Sequence, residues 1–218
     1  MSKIGCNVGT PMIKLVLATT NLHKIREIRA MLKPLYHFDF LTLHDYPNYV
    51  PPKETGKSFE ENAFIKATHA AHALKEWVLA DDSGLVVPAL GDEPGVNSAR
   101  YAGLGSTDKD NRLKLLKALE ELSDSERVGY YVCAMALASP DGIQKQVKGT
   151  CEGTLLMTPR GGGGFGYDSL FQKYDYSKTF AEIDEETKNK ISHRRKALDK
   201  LLPTLDLLAH KHQNELCH

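Results

Sequence analysis

The 218-residue chain lacks the features that mark several special classes of protein. Its cysteines are few and form no C-x-x-C pair, so the sequence offers no zinc or redox motif, and reduced thiols are expected. It contains no apolar run of about 18 residues and no signal-peptide pattern, which argues against a membrane protein. We therefore expect a soluble, cytoplasmic protein with no membrane partner.

The chain also lacks an excess of charge of either sign. Lys and Arg number 28, and Asp and Glu number 28, so no overall field favours nucleic acid or a membrane surface. This balance disfavours an RNA-binding protein, although Phe165 and a basic helix near the C-terminus could serve one. No nucleic-acid partner is expected, and an anionic ligand would be bound by local charge.

Strand-like and helix-like segments alternate along most of the chain, without internal repeats, which predicts an α/β protein with a mixed sheet. The predicted strands cover residues 13–18, 38–43, 77–81, 128–138 and 143–156. The predicted helices cover about residues 22–35, 58–75 and 108–122, with Leu113, Leu116 and Leu119 facing inward, and a basic C-terminal helix that kinks or restarts at Pro203. A long, glycine-rich loop is expected at residues 83–107.

The length is that of one domain. We expect a disordered extension at residues 1–12, a single two-lobed domain at residues 13–208, and a flexible C-terminal tail at residues 209–218.

Two adjacent carboxylates, Asp81 and Asp82, follow an apolar run and precede Ser83 and Gly84. The pattern predicts that both lie at the end of a buried strand, facing a cleft. Carboxylates so placed can hold Mg²⁺ against a phosphate chain. A strand-terminating turn remains the alternative, since Asp and Gly are common turn residues.

Residues 19–24 (T-T-N-L-H-K) connect the first strand to the first helix. A helix N-terminus offers backbone N–H groups and a favourable dipole to an anion, and Thr19, Asn21 and Lys24 could add contacts to a phosphate. The chain contains no Walker A motif. The alternative is a simple N-cap with a solvated lysine.

Glu54 precedes a predicted helix on which Asn62 and Lys66 lie four residues apart, on one face. Glu54 could complete a carboxylate set for Mg²⁺. An exposed helix face beside an ordinary loop acid is the alternative.

Residues 160–168 (R-G-G-G-G-F-G-Y-D) contain five glycines in six positions. Ordering such a loop costs much conformational entropy, so it suits a place where the backbone approaches a ligand closely. Phe165 could stack on a nucleobase. A flexible linker is the alternative, although Phe165, Tyr167 and Asp168 interrupt it.

Lys188, His193 and Arg194 lie in a basic region near the predicted start of a helix. Cations at a helix N-terminus oppose the helix dipole, which hints at a ligand contact. Arg and His donors could recognise the 6-oxo group of a purine, whereas adenine presents an amino group there. A solvated helix face is the alternative.

These segments, in this order, resemble the inosine triphosphate pyrophosphatase family, in its bacterial-type branch. The resemblance covers roughly residues 13–208, and six motifs in order make it specific. The matching segments are residues 17–21 with Lys24, residues 58–66 as S-F-x-E-N-A-x-x-K, residues 80–85, residues 94–101, residues 163–168 and residues 191–194.

The resemblance implies hydrolysis of the noncanonical purine nucleoside triphosphates ITP, dITP and XTP to the nucleoside monophosphate and pyrophosphate, which keeps deaminated purines out of DNA and RNA. It implies a two-lobed α/β fold with an elongated central mixed β-sheet flanked by helices, an active-site cleft between the lobes, a homodimer, and Mg²⁺ as cofactor. Asp82 would be the catalytic base and a metal ligand, with Glu54 as a further metal ligand. The residues expected to bind substrate are Thr19, Thr20, Asn21, Leu22, His23, Lys24, Ser83, Phe165, Gly166, Tyr167, Asp168, Lys188, His193 and Arg194.

Two residues depart from the family pattern, since Thr20 stands where glycine is frequent and His23 where a small residue is frequent. Both bear on the tightness of triphosphate binding. A pyrophosphatase for other modified nucleotides and a noncatalytic nucleotide-binding regulator remain the alternatives. The carboxylates Asp81, Asp82 and Glu54 argue against the regulator, because a protein that only binds needs fewer acids beside a phosphate chain.

Overall fold

The computed structural model describes residues 12–216, so the expected disordered extension lies, apart from Met12, outside the described residues. The strands are β1 (Ile13–Leu17), β2 (Phe38–Thr42), β3 (Trp77–Val86), β4 (Val128–Ser139), β5 (Gly142–Leu155) and β6 (Phe171–Lys173). The helices are α1 (Leu22–Leu32), α2 (Phe59–Leu74), α3 (Asp108–Leu119), α4 (Glu185–Ile191) and α5 (His193–Leu216). Between residues 12 and 216, no helix is long and apolar enough to cross a membrane.

The strands form one mixed sheet in the order β2-β1-β3-β4-β5-β6. β1 runs parallel to β2 and β3, whereas β3, β4, β5 and β6 pair antiparallel in succession. The predicted α/β fold with a mixed sheet is confirmed, and β4 and β5 form one long hairpin. The division into two lobes with a cleft between them stays a prediction.

β3 differs from its predicted course. It does not end at Asp81 but continues to Val86, because β4 supplies a pairing partner along its whole length, up to Tyr130 opposite Val86. β1 ends earlier, with Leu17 opposite Leu79. The aspartates therefore lie inside a strand, at the point where its other neighbour has stopped and one edge is open.

The remainder of the expected loop at residues 83–107 is also partly ordered. Short 3₁₀ turns form at Pro88–Leu90 and Gly95–Arg100. Ser98 holds the second turn against β3, since its hydroxyl accepts a hydrogen bond from the Leu85 amide at 2.9 Å. Gly84 permits this contact, because a Cβ there would lie 2.3 Å from Ser98 Oγ.

Two apolar layers cover opposite faces of the sheet. On one face, the alternate residues of β1 pack against α1 and α5; on the other, small residues of α2 pack against β3 and β4. The second layer is rich in alanine, and Ala63, Ala67, Ala70 and Ala71 of α2 are all fully buried. Small side chains let α2 lie close to the sheet.

α3 covers a third apolar cluster, at the far end of β3, β4 and β5. Its inward side chains include Leu115 and Leu119, both fully buried, whereas Leu113 is 55% exposed. The prediction that Leu113 faces inward is wrong. The helix ends at Leu119 and its 3.6-residue period places Leu115, not Leu113, on the face that contains Leu119.

α5 is a single helix that contains Pro203. It does not restart there, since the apolar side chains on either side of the proline, Leu201 and Leu205, are fully buried against the sheet. Gly149 of β5 permits the approach, because a Cβ there would lie 2.3 Å from the Ala197 amide nitrogen. Residues 209–216, part of the predicted flexible tail, continue the helix.

The close packing of the alanines of α2 against the sheet can be tested by substitution. Ala67→Leu adds three carbons where α2 is in contact with the sheet, and overpacking of this kind costs about 1–3 kcal/mol of unfolding free energy. Urea denaturation measures the loss. Ala73→Leu, on the exposed side of the same helix, should change the unfolding free energy by less than about 0.5 kcal/mol. Equal effects at both positions would contradict the close packing.

Candidate active site

A pocket of about 350 Å³ opens beyond the end of β1, a size in the usual range for small-molecule sites. It brings together four predicted segments: the turn at residues 19–24, Glu54 with the start of α2, the acidic part of β3, and the glycine loop with the start of α5. Every predicted substrate-binding residue lines it except Leu22 and His23, and both predicted metal ligands line it too.

The turn at residues 19–24 is an N-cap as well as a pocket wall. The Asn21 side chain accepts hydrogen bonds from the amides of His23 at 3.0 Å and Lys24 at 3.2 Å. Thr19 Oγ1 accepts one from the Asn21 amide at 3.2 Å. The expectation that these helix N-terminal amides are free for a phosphate is therefore corrected, and the side chains of Thr19, Thr20 and Lys24 are what the turn offers an anion.

Leu22 and His23 lie outside the pocket. Leu22 is 67% exposed. The ring of His23 stacks on Phe165, with centroids 5.0 Å apart and an angle of 12° between the planes. Because Phe165 lines the pocket and His23 does not, His23 supports the aromatic ring from outside.

Asp81 lies on the face of β3 that α1 and α5 cover. Its carboxylate contacts Lys24 Nζ at 3.2 Å and Arg194 Nη2 at 3.2 Å, and accepts a hydrogen bond from Ser83 Oγ at 3.3 Å. Burial opposes the ionised form, but the two cations outweigh it and hold the pKa of Asp81 well below its usual range. Asp81 is therefore a permanently ionised partner of the surrounding cations.

Asp82 points to the opposite face, toward α2. It accepts hydrogen bonds from Asn62 Nδ2 at 3.2 Å and from Lys66 Nζ at 2.9 Å. Burial raises the pKa of Asp82 above its usual range, although Lys66 opposes the shift. A carboxylate that is desolvated and lines a pocket has the character of a general base.

Lys66 joins the two predicted metal ligands. Its ammonium lies 2.9 Å from Asp82 Oδ1 and 3.1 Å from Glu54 Oε1. Arg100 reaches Glu54 from the other side, at 3.6 Å. The oxygens of Glu54 and Asp82 thus converge on one cation, which confirms that the fold brings them together.

A second group of buried charges lies at the other end of the pocket. Lys188 Nζ contacts Glu27 at 2.7 Å and Asp168 at 2.5 Å, and the Arg194 guanidinium is paired with both Glu27 and Asp81. Burial disfavours the ionised form of Glu27, but Arg194 and Lys188 together hold its pKa below the usual range. These side chains fix α1, α4 and α5 relative to β3.

His193 and Arg194 present unpaired polar atoms in this region. His193 stacks on Tyr131, with centroids 4.7 Å apart, and its Nδ1 is buried without a hydrogen-bond partner. Burial, with the charges of Arg194 and Lys188, holds the pKa of His193 well below its usual range, so the ring is neutral at pH 7. Arg194 Nε is likewise buried and unpaired. Since buried polar groups are nearly always hydrogen-bonded, both atoms are candidates for ligand contacts.

The glycine loop is ordered by its own aspartate. Asp168 Oδ2 accepts a hydrogen bond from the Phe165 amide at 2.9 Å. Gly164 has a φ of +68°, and a Cβ there would lie 2.1 Å from that carboxylate, so only glycine fits. Tyr167 is buried and donates to the carbonyl of Ser98 at 2.8 Å. The loop is therefore an ordered segment that lines the pocket, and not a flexible linker.

Sequence reasoning missed Glu27, Tyr131 and Ser98. Glu27 is the most important omission, and a signal for it exists: it lies four residues before the buried Met31, within the apolar stripe of α1. A charged residue in such a stripe indicates a buried partner. Tyr131 and Ser98 carry no comparable signal, because their roles depend on contacts distant in sequence.

An α/β fold with a pocket of buried, paired charges beyond the end of a parallel strand is typical of nucleotide-binding proteins. The chain belongs to the Ham1 family, whose model matches residues 15–204. This confirms the family resemblance.

The similarity extends over nearly the whole chain. The dITP/XTP pyrophosphatase of Protochlamydia amoebophila (strain UWE25) is 56% identical over 197 residues, which cover 90% of this chain and 99% of the relative. The enzyme of that name from Chlamydia abortus is 50% identical over 200 residues, covering 91% and 97%. Among solved structures, a HAM1 protein from Coxiella burnetii superposes with a TM-score of 0.81 at 40% identity, covering 89% of this chain and 99% of that one.

The lowered pKa of Glu27 predicts acid sensitivity. Glu27→Gln leaves Lys188 and Arg194 in the interior with one negative charge fewer, and should lower the unfolding free energy at pH 7 by about 3 kcal/mol. A carboxylate whose pKa is depressed in the folded state stabilises the fold at pH values above its ordinary pKa of 4.5. This stabilisation is lost as the pH falls below 4.5 and through the folded-state pKa. The variant should therefore lose less stability than the wild type between about pH 5 and pH 3.

Urea unfolding across this pH range tests the prediction. Glu186→Gln is the matched control, because its partner Lys190 lies one turn away on the surface and the pair is exposed. If Glu27→Gln lost as much unfolding free energy as the wild type between about pH 5 and pH 3, the role of Glu27 as a buried ion-pair partner would be contradicted.

Proposed function

We propose that the protein hydrolyses the noncanonical purine nucleoside triphosphates dITP, XTP and ITP to the nucleoside monophosphate and pyrophosphate. The observation that carries the proposal is the placement of Asp82 in the pocket, between a cationic turn and an aromatic loop. The names of the relatives, dITP/XTP pyrophosphatase, support it. The triphosphate would lie toward residues 19–24 and the base toward Phe165.

The pocket supplies positive charge for the triphosphate. Lys24 and Lys66 both line it, together with the hydroxyls of Thr19 and Thr20. Each lysine is already paired with an aspartate, which fixes its position before substrate arrives. Such preorganised charge is the usual means of stabilising a phosphoryl-transfer transition state.

Asp82 would act as the general base. It accepts a proton from water as the water oxygen forms a bond to the α-phosphorus, and the bond from that phosphorus to the α–β bridging oxygen breaks. Pyrophosphate leaves with the bonding electron pair. Asn62 and Lys66, which donate hydrogen bonds to the Asp82 carboxylate, orient it for this role.

Glu54 and Asp82 would hold Mg²⁺. In support, their oxygens already converge on one cation, Lys66 Nζ. In residues 12–216, no group of three or more His, Cys, Asp and Glu side chains is placed to hold a metal. Two carboxylates fit Mg²⁺, which typically takes one or two from the protein and the rest from phosphates and water. When bound, the ion would neutralise phosphate charge and orient the reacting groups.

The far end of the pocket would select the base. Phe165 offers a stacking surface, and Arg194 Nε is a hydrogen-bond donor that can never accept. A donor fits the 6-oxo group of hypoxanthine or xanthine and opposes the 6-amino group of adenine. The neutral ring of His193 would add a second contact. A homodimer, implied by the family resemblance, and a cytoplasmic location, expected from the sequence, complete the proposal.

Asp82→Asn tests the catalytic assignment. The substitution keeps the shape and a hydrogen-bond acceptor but removes the base, so pyrophosphate release from dITP should fall by about 100- to 10,000-fold with the fold intact. A coupled pyrophosphate assay measures the rate, and circular dichroism checks the fold. Asp206→Asn, at an exposed position of α5, should behave as wild type.

Two results would count against the proposal. Pyrophosphate release by Asp82→Asn at the wild-type rate would remove Asp82 from the mechanism. Stoichiometric binding of dITP by the wild type with no product over hours would instead favour the noncatalytic regulator.

Glu54→Gln tests the metal assignment. Because the carboxamide is a weaker ligand for Mg²⁺ than the carboxylate, half-maximal activity should require at least about tenfold more Mg²⁺, with the rate at saturating metal less affected. A titration of Mg²⁺ at saturating dITP measures the shift. Glu121→Gln, an exposed position after α3, is the control. An unchanged Mg²⁺ requirement would indicate that Glu54 serves only as an ion-pair partner of Lys66 and Arg100.

A further inference from the structure

The first two turns of α3 contact the glycine loop at Gly166. Gly166 is held on both sides of its backbone: its amide donates to Asp108 Oδ2 at 2.6 Å, and its carbonyl accepts from Arg112 Nη1 at 2.7 Å. Asp108 and Arg112 lie four residues apart and so share one face of the helix. Sequence reasoning assigned neither of them a role.

Gly166 directly follows Phe165, so the contact acts on the aromatic ring. The peptide group before Phe165 is held by Asp168, at 2.9 Å, and the one after it by Asp108, at 2.6 Å. Gly164 and Gly166 on either side have positive φ angles of 68° and 59°. A chain with glycine on both sides of Phe165 has little stiffness of its own, so these charged side chains, together with the stacked ring of His23, set where the Phe165 ring lies.

α3 is itself firmly placed. Thr107 and Asp110 form a reciprocal capping box at its start. Asn111, buried between the two contact residues, accepts a hydrogen bond from the Ala102 amide at 2.8 Å and donates to the Ala99 carbonyl at 3.2 Å. Site residues that rest on a rigid element keep their geometry better than residues on a free loop.

We propose that Asp108 and Arg112 are positioning residues for base recognition: they fix the aromatic surface of Phe165 and thereby set the affinity for the purine without acting on the triphosphate. This inference rests on the proposed function. Neither residue contacts the Lys24, Lys66 and Asp82 group, so the effect of losing them should be confined to the base end of the pocket.

Arg112→Ala tests the proposal. Loss of the contact to the Gly166 carbonyl should raise KM for dITP about tenfold, while kcat stays within about twofold of wild type. Inorganic triphosphate, which has no base, should inhibit variant and wild type with the same Ki. Binding of dIMP, measured by calorimetry, should weaken in parallel with KM, and this readout does not depend on hydrolysis.

Arg112→Lys and Asp108→Asn each keep one hydrogen-bonding group and should recover most of the affinity for dIMP. Asp108→Ala, which removes the acceptor of the Gly166 amide, should weaken dIMP binding as Arg112→Ala does, and it keeps the test decisive if Arg112→Ala folds poorly. Lys117→Ala removes an exposed cation from the same helix and should match the wild type in every readout.

Two outcomes would overturn the inference. One is an unchanged affinity of folded Arg112→Ala, or of folded Asp108→Ala, for dIMP relative to the Lys117→Ala control. The other is a rise in Ki for inorganic triphosphate equal to the rise in KM, which would indicate a general structural role. Failure of the proposed function would give a different result, because the wild-type protein would then release no pyrophosphate from dITP.

Discussion

The guanidinium of Arg194 is the contact on which the rest of the site depends. It is fully buried, and it pairs with Glu27 of α1 and with Asp81 of β3. A buried cation is tolerated only when it is paired and hydrogen-bonded, so three elements must meet at one point for the chain to fold. Lys188 extends the network to α4 through the same Glu27 carboxylate. The charges that would recognise a nucleotide are thus held in place by the fold itself.

Strand geometry then gives the two adjacent aspartates different environments. Because side chains alternate across a sheet, Asp81 faces Arg194 and Lys24, whereas Asp82 faces Asn62 and Lys66. Opposite shifts follow, with the pKa of Asp81 lowered by its cations and that of Asp82 raised by burial. One carboxylate is committed to the ion-pair network and the other can exchange a proton. The difference follows from one step along a single strand.

Much of this site could be predicted from the sequence, because the residues that hold ligands are chemically distinctive and occur in short segments. The turn at residues 19–24 and the glycine loop are examples, and the structure places both in one pocket. The course of β3 could not be predicted, since the strand continues past Asp81 only because β4 pairs with it. The position of Glu27 in the apolar stripe of α1 signals its burial, but its partners could not be predicted, because they lie on α4 and α5, more than 150 residues away in sequence. Leu113 shows the limit of spacing arguments, because several registers of leucines fit α3 and tertiary packing selects one.

Hydrolysis of dITP by the wild-type protein in water enriched in ¹⁸O, followed by mass spectrometry of the products, tests the central claim most directly. If water activated at Asp82 attacks the α-phosphorus, one ¹⁸O atom will appear in dIMP and none in the released pyrophosphate. Label in the pyrophosphate, or labelled orthophosphate as the product, would place the attack at another phosphorus and contradict the account.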